Sequence, residues 1–392
     1  MTESDWLKGK DADALLAAVA ARLSERKWLL LACAVVRRIW DLLPNGPLRE
    51  AIIWLEDNAG QELDAKEVKK WLRKIDAAVP LATELAATAE RAAVSSADPD
   101  ADGSQYQETE ARRTNTAVPL FRAASRAANN AIESAQQAVR QAADAVRALF
   151  EGHGMSRLNE VRMFTVQALV DHGRSGIETT LALELKSLGD EMADRKQAKN
   201  VRVRQSEAIE TVNRMTESAT NRSGELEEAK RRGDEKAIVR FLHEQLGNPF
   251  RAYRFESHWR TDPVVGIARA IDEDRATDRY FILADALLDA DCDEEAILRH
   301  CRGTEKHAPE PAPHFRGCWV IDLILQHDAA VFAHPVLTEK RAPAAEERLG
   351  LAAPGLFDSG ILEALQSLGG LESLDDLDDL GEDEFPGETE TA

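Results

Sequence analysis

The stretch Ile297 to Leu325, ILRHCRGTEKHAPEPAPHFRGCWVIDLIL, carries the densest set of chemically capable side chains in the chain. Cys301, Cys318, His300, His307 and His314 are all zinc-ligand types, and Cys292 lies just upstream. Zinc takes four converging donors at about 2.0–2.3 Å, and structural sites usually supply them as pairs two to four residues apart. Here Cys292 and Cys301 are nine residues apart, Cys301 and His314 thirteen, and only His314 and Cys318, four apart, form a close pair. The zinc set this spacing allows is Cys292, Cys301, His314 and Cys318, with His300 and His307 in reserve. Buried thiols behaving as small apolar groups explain the cysteines more simply, so the expectation is no metal and no cofactor.

A thiol nucleophile is the second chemistry to weigh. Arg299-His300-Cys301-Arg302-Gly303 is reminiscent of the caspase signature Q-A-C-[RQG]-G, with His258 upstream as a base. That signature works only when a buried strand presents the thiolate beside its base. The preceding DEEAILRH has helical spacing and no α/β alternation surrounds it, so no catalytic residue is assigned.

Asp322 is the more informative residue. It lies inside the apolar run CWVIDLIL, where an unpaired carboxylate costs several kcal/mol. It needs a donor such as Arg302, Arg316, or an N-terminal arginine like Arg37 or Arg38. The expected buried polar or pocket cluster is therefore Arg37, Arg38, Arg302, Arg316, Trp319 and Asp322.

Composition bounds what these residues can serve. The 392-residue chain is 44% hydrophobic and 30% charged, a globular composition with room for one large domain or two to three ordinary ones. Its net charge is −21, and ten acidic residues with no basic one fall between Glu372 and Ala392. That balance opposes binding to nucleic acid or an anionic membrane. No apolar run approaches the roughly 20 residues of a membrane span, and the polar N-terminus does not read as a secretory signal. Four cysteines without such a signal are expected to be free thiols in the cytoplasm.

The patterning is helical throughout. Residues 1–78 read as short amphipathic helices, with Leu15, Leu16, Val19 and Leu23 on one face and Trp28, Leu31, Val35 and Ile39 on the next. Ser24 and Asp64 are N-caps, and Asn45-Gly46-Pro47 is a turn with Pro47 opening a helix. Residues 79–246 form an Ala-rich and then highly charged helical middle, interrupted by a mobile loop at 95–116. Ala208, Val212, Met215, Ala219 and Leu226 trace a weak coiled-coil seam. Gly189 and Gly233 are candidate breaks, and Arg232-Gly233-Asp234 reads as a hairpin turn. Residues 247–340 turn core-like again, with Phe281 to Leu288 and Phe315 to Gln326 as buried helices and Asp293 capping a short one. Residues 341–392 are a Pro-containing linker and an acidic tail expected to be disordered. There Leu371, Leu374, Leu377, Leu380 and Phe385 alternate with acids, a pattern of segments that fold on a partner.

Two groups of motifs also resemble a planctomycete-type family of helical proteins. They are DWLKGKDADALLAAVAARLSERKWLLLACAVVRRIWDLL at the N-terminus, and GNPFR, RAIDEDRATDRYFILADALLDADC, HCRG and HFRGCWVIDLIL towards the C-terminus. Together they cover about 40% of the chain, flanking an Ala-rich middle that varies in that family. The resemblance implies an all-helical cytoplasmic protein whose two ends pack together, and it implies no activity. Two departures stand out: the family's cysteine-rich helix is here Cys33-Ala34-Val35-Val36, and the loop holding His307 is longer.

The expectation is an all-α protein in which N- and C-terminal segments form one body and a long helical hairpin projects from the middle. Its expected role is protein interaction or regulation rather than catalysis, with a protein partner, no nucleic acid and no membrane. The competing readings are a zinc- or thiol-dependent hydrolase centred on Cys301, His314 and Cys318, and a homo-oligomer through the middle helices.

Overall fold

The computed structural model describes residues 1–9, 11–95, 117–194, 201–304 and 314–332. Among these the protein is all-α, with no strand. Residues 96–116, His307 and the tail positions Leu371, Leu374, Leu377, Leu380 and Phe385 lie outside the described residues.

Four short helices come first: α1 (Glu3–Lys8), α2 (Ala12–Val19), α3 (Glu25–Arg37) and α4 (Pro47–Asp57). Their starts follow from local chemistry. The Asp11 and Ser24 side chains accept from the backbone N–H groups of Ala14 and Lys27, satisfying donors that a helix start leaves open. Pro47 opens α4 as its fixed φ allows. Every residue of α3 from Lys27 to Val36 is buried. A helix enclosed on all sides is a central element rather than a surface one, and α3 is the pivot of the body.

The middle of the chain is an up-down-up-down four-helix bundle of α5 (Ala65–Val94), α6 (Val118–Glu151), α7 (Gly154–Asp194) and α8 (Val201–Leu246). The expected hairpin, α7 and α8, is half of it. Each helix touches the body core at one end and a separate, Ala-rich core at the other. Trp71 and Ile75 of α5 belong to the body core, whereas Val94 belongs to the distal one. α6 returns from Leu120 and Ala124 to Val146 and Leu149, α7 leads out from Leu158 to Leu185, and α8 comes back from Ala208 to Leu246. At 1.5 Å per residue the 46-residue α8 spans about 69 Å. Ala208, Val212 and Ala219 of the seam face the distal core, with Met215 packed against it, so that core already takes up much of the seam's apolar surface.

Several expected boundaries move. α5 runs unbroken across residue 78, and α7 and α8 run through Gly189 and Gly233. Gly189 serves packing instead, since a Cβ there would lie 2.8 Å from the ring of Phe121. Asp234 is buried inside α8 rather than exposed in a turn, because Arg38 and Arg162 converge on it.

The C-terminal segment contributes α9 (Asp262–Asp274), α10 (Tyr280–Asp289), α11 (Glu295–Cys301), α12 (Trp319–Leu325) and α13 (Ala329–Phe332). Their own core includes Tyr253, Trp259, Leu283, Leu287, Ile297, Trp319 and Ile321. Glu294, not Asp293, caps α11, and α12 starts at Trp319, after a loop, rather than at Phe315. α10 is buried on one face only: Leu283, Ala284 and Leu287 point inward, while Phe281, Ile282 and Leu288 are exposed. The N-terminal helices and the C-terminal segment meet where α8 stops. Trp6 Nε1 donates to the Gly247 carbonyl at 3.0 Å. Gly247 has φ 60°, and a Cβ there would lie 3.1 Å from the Trp319 ring, so both the turn and the close contact favour glycine.

Candidate functional site: a buried glutamate, histidine and cysteine cluster

Three separate segments bring four donors together. Glu244 comes from the last turn of α8, His300 from the last turn of α11, and His314 and Cys318 from the loop leading into α12. Their donor atoms all lie within 4.8 Å of one another. His300 Nε2 is 3.1 Å from Cys318 Sγ and 3.5 Å from Glu244 Oε2. His314 Nδ1 is 2.8 Å from Glu244 Oε1. Glu244, His300 and Cys318 are buried, and His314 is nearly so. The His314 ring stacks on Tyr280, the first residue of α10, with centroids 3.5 Å apart and planes 12° apart.

The electrostatics of this pocket are tightly balanced. Burial alone raises a carboxyl, but the His300 and His314 imidazoles outweigh it and hold Glu244 at about 2. Burial opposes a charged His314, yet Cys318 and Glu244 raise it to about 9. Burial and Glu244 push the Cys318 thiol up; His300 and His314 pull it back below its ordinary value.

A second buried charge holds the backbone on either side of these donors. Lys27 Nζ donates to the carbonyls of Gln245 at 2.9 Å and Gly317 at 2.8 Å, each next in sequence to a donor residue. It also forms an ion pair with Asp322 and lies over the Phe332 ring, 5.1 Å from its centroid. Arg26 Nη1 adds a 2.9 Å bond to the same carboxylate and a 3.0 Å bond to Asp328. Asp322 is therefore held well below the usual carboxylate range: Lys27 and Arg26 together with His327 overcome the burial that would raise it.

An N-terminal cation thus meets Asp322 as the sequence requires, but none of the four expected arginines does so. Arg37 and Arg38 lie about three turns further along α3, too far to reach α12. Arg37 forms a bidentate pair with Glu56 at 2.6 Å on both bonds, and Arg38 binds Asp234. Arg302 lies 3.8 Å from the exposed Asp285. Arg316 binds Asp57 and, at 3.2 Å, Asp272. Arg275 completes the chain of charges by reaching both Glu56 and Asp57. Arg37, Arg275 and Arg316 line a pocket of about 230 Å³ whose wall includes Tyr280 and His314. Trp319 belongs to the C-terminal core, its ring 4.3 Å from Tyr253 and 5.4 Å from His300.

Of the zinc set read from spacing, the structure brings together His314 and Cys318. Cys292 and Cys301 are buried in the C-terminal core outside the cluster. Burial pushes the Cys301 thiol up to about 12, the state of a packed thiol rather than a nucleophile. Glu244 and Lys27 carry a sequence signal that spacing rules overlook. An anion in the last turn of a helix and a cation in the first both oppose the helix dipole, which marks them as serving a contact elsewhere.

No family model, no curated protein and no solved structure matches the chain. Among the described residues no helix is long and apolar enough to cross a membrane.

Proposed function

We propose that the protein acts as a helical binding module whose outward face is α10, and that its partner presents a basic amphipathic helix. The observation that carries this reading is the exposure of Phe281, Ile282 and Leu288, at 65%, 55% and 41%, on one ten-residue helix. Phe281 and Leu288 are seven residues apart with Asp285 between them, so they line one side of the helix. Clustered large apolar groups on a surface mark an interaction site. The rim carries a net negative charge: Asp278, Asp285, Asp289, Asp291 and Asp293 are exposed on or beside the helix, against the exposed Arg279 and Arg302, the latter 3.8 Å from Asp285. An amphipathic helix with apolar residues at three- and four-residue steps and lysines or arginines beside them complements both features. The chain's own Leu371 to Phe385 segment alternates leucine with acid, which this rim repels.

The buried donor cluster supports binding over catalysis, because its thiol and carboxylate face inward. The test is fluorescence anisotropy of two model peptides, a Leu/Lys amphipathic helix and its Leu/Glu counterpart, against the full chain. The Leu/Lys peptide is expected to bind saturably and to weaken with salt, and to lose binding in F281S/L288S while the melting temperature holds. Equal binding of both peptides, or binding that survives the double substitution, overturns the reading. Tighter binding after removal of residues 341–392 makes the chain's own tail the occupant and overturns it too.

A further inference from the structure

We propose that Glu244, His300, His314 and Cys318 bind a single Zn²⁺ ion, and that this ion is structural, pinning α8, α11 and the loop before α12 to one another.

Donor chemistry selects the metal. Two imidazoles, one thiolate and one carboxylate form a mixed nitrogen, sulfur and oxygen set, which suits zinc. Calcium and magnesium require mostly oxygen donors, and copper(I) favours sets richer in sulfur.

Charge balance points the same way. Deep in a protein an uncompensated charge is expensive, so a buried ionic site approaches neutrality. Zinc binds neutral imidazole, ionised carboxylate and thiolate, so the two positive charges of the ion match the two negative charges of Glu244 and Cys318. Binding releases the thiol proton, and any proton held by the imidazoles, to solvent. No redox partner is involved.

Geometry is close to what the ion requires. Bonds of 2.0–2.3 Å in a tetrahedron keep donors roughly 3.3–3.6 Å apart. The 3.5 Å separation of His300 Nε2 from Glu244 Oε2 lies in that range, while the 3.1 Å His300–Cys318 and 2.8 Å His314–Glu244 Oε1 separations are shorter and open by about 0.2 and 0.5 Å around an ion. The widest pair, within 4.8 Å, closes by about an ångström. The backbone beside two of the ligands is already fixed, because Lys27 holds the carbonyls of Gln245 and Gly317. Tyr280 braces His314 by stacking. Fixed outer contacts of this kind are what orient metal ligands.

The burial assigns the role. A catalytic zinc keeps one position open to water or substrate, whereas a structural site has four protein ligands and is closed. Here four protein donors are present, and three of them are buried.

The test is metal content of the full chain after reconstitution with Zn²⁺, together with the absorption spectrum of the Co²⁺ form. The expected result is one zinc per chain, a melting temperature lowered by chelation, and a tetrahedral cobalt spectrum with a thiolate-to-metal charge-transfer band. Cys318→Ser is expected to remove that band, while Cys292→Ser and Cys301→Ser keep it. Should Cys318→Ser fail to fold, the wild-type cobalt spectrum and the two control variants still decide the matter. A reconstituted chain with no zinc and a melt indifferent to chelator overturns the proposal. So does a charge-transfer band that survives Cys318→Ser or disappears in Cys301→Ser. Neither readout involves the outer face of α10, so failure here leaves the peptide-binding test untouched.

Discussion

Lys27, in the first turn of α3, and Asp322, in the first turn of α12, form an ion pair in which both side chains are wholly buried. An ammonium has three donors, and Lys27 uses all of them, on Asp322 and on the carbonyls of Gln245 and Gly317. One side chain therefore ties the central helix of the N-terminal body to the end of the bundle and to the C-terminal segment.

Lys27→Met is expected to destabilise the protein by about 3–5 kcal/mol, because it leaves the buried Asp322 carboxylate with Arg26 as its one close cation and takes the donor from two buried carbonyls. Adding Asp322→Leu removes the under-compensated charge and is expected to recover part of the loss. Recovery stays incomplete, since the Gln245 and Gly317 carbonyls remain without their donor. Urea unfolding of the two single variants and the double variant measures this coupling. Strictly additive losses would show that the pair is not an energetic unit.

The same carboxylate sets an acid dependence. Asp322 ionises in the folded protein well below the usual range, because Lys27, Arg26 and His327 outweigh its burial. A depressed folded value means that the unfolded chain binds the proton more readily. The stabilisation is fully present above the unfolded value, near pH 3.9, and drains away as pH falls from there towards the folded value. The stability gap between wild type and Asp322→Asn is expected to be constant from pH 7 to about 5 and to shrink below about 4. A gap that stays constant down to the acid limit of folding would contradict this origin.

The helices were legible because their signals are local. Ser24, Pro47 and Asp64 mark helix starts that the structure keeps, and the apolar steps from Leu15 to Ile39 identify buried faces correctly. The need of Asp322 for a cation was legible too, since burial of a charge is a local fact, but the identity of that cation was not. Spacing along the chain cannot say that Arg26 and Lys27 face α12 while Arg37 and Arg38 face Glu56 and Asp234. The donor cluster was half legible for the same reason. His314 and Cys318 are four residues apart, whereas Glu244 reaches them only because α8 returns to the body after the whole bundle. Phe281, Ile282 and Leu288 misled in the opposite direction, because an apolar run reads as buried whichever face is covered.

Glu56 offers a graded contrast to Lys27. It is buried in α4 and accepts two bonds from Arg37 and two more from Arg275, so it joins α3 to the loop after α9. Unlike Lys27 and Asp322, both of its partners keep about a third of their side-chain surface in water. Truncating it therefore strands no deeply buried charge; each guanidinium turns to solvent or to Asp57, which Arg275 already contacts at 2.9 Å. Glu56→Ala is expected to cost about 1.5–3 kcal/mol, the range for hydrogen bonds to a charged group, and less than Lys27→Met. Added salt should narrow the difference between wild type and Glu56→Ala, since partly exposed pairs are screened, while leaving the effect of Lys27→Met nearly unchanged. Urea unfolding at low and high salt for the two variants gives the comparison. Equal salt sensitivity at the two sites would mean that solvent reaches the Lys27 pair, against the burial on which its role depends.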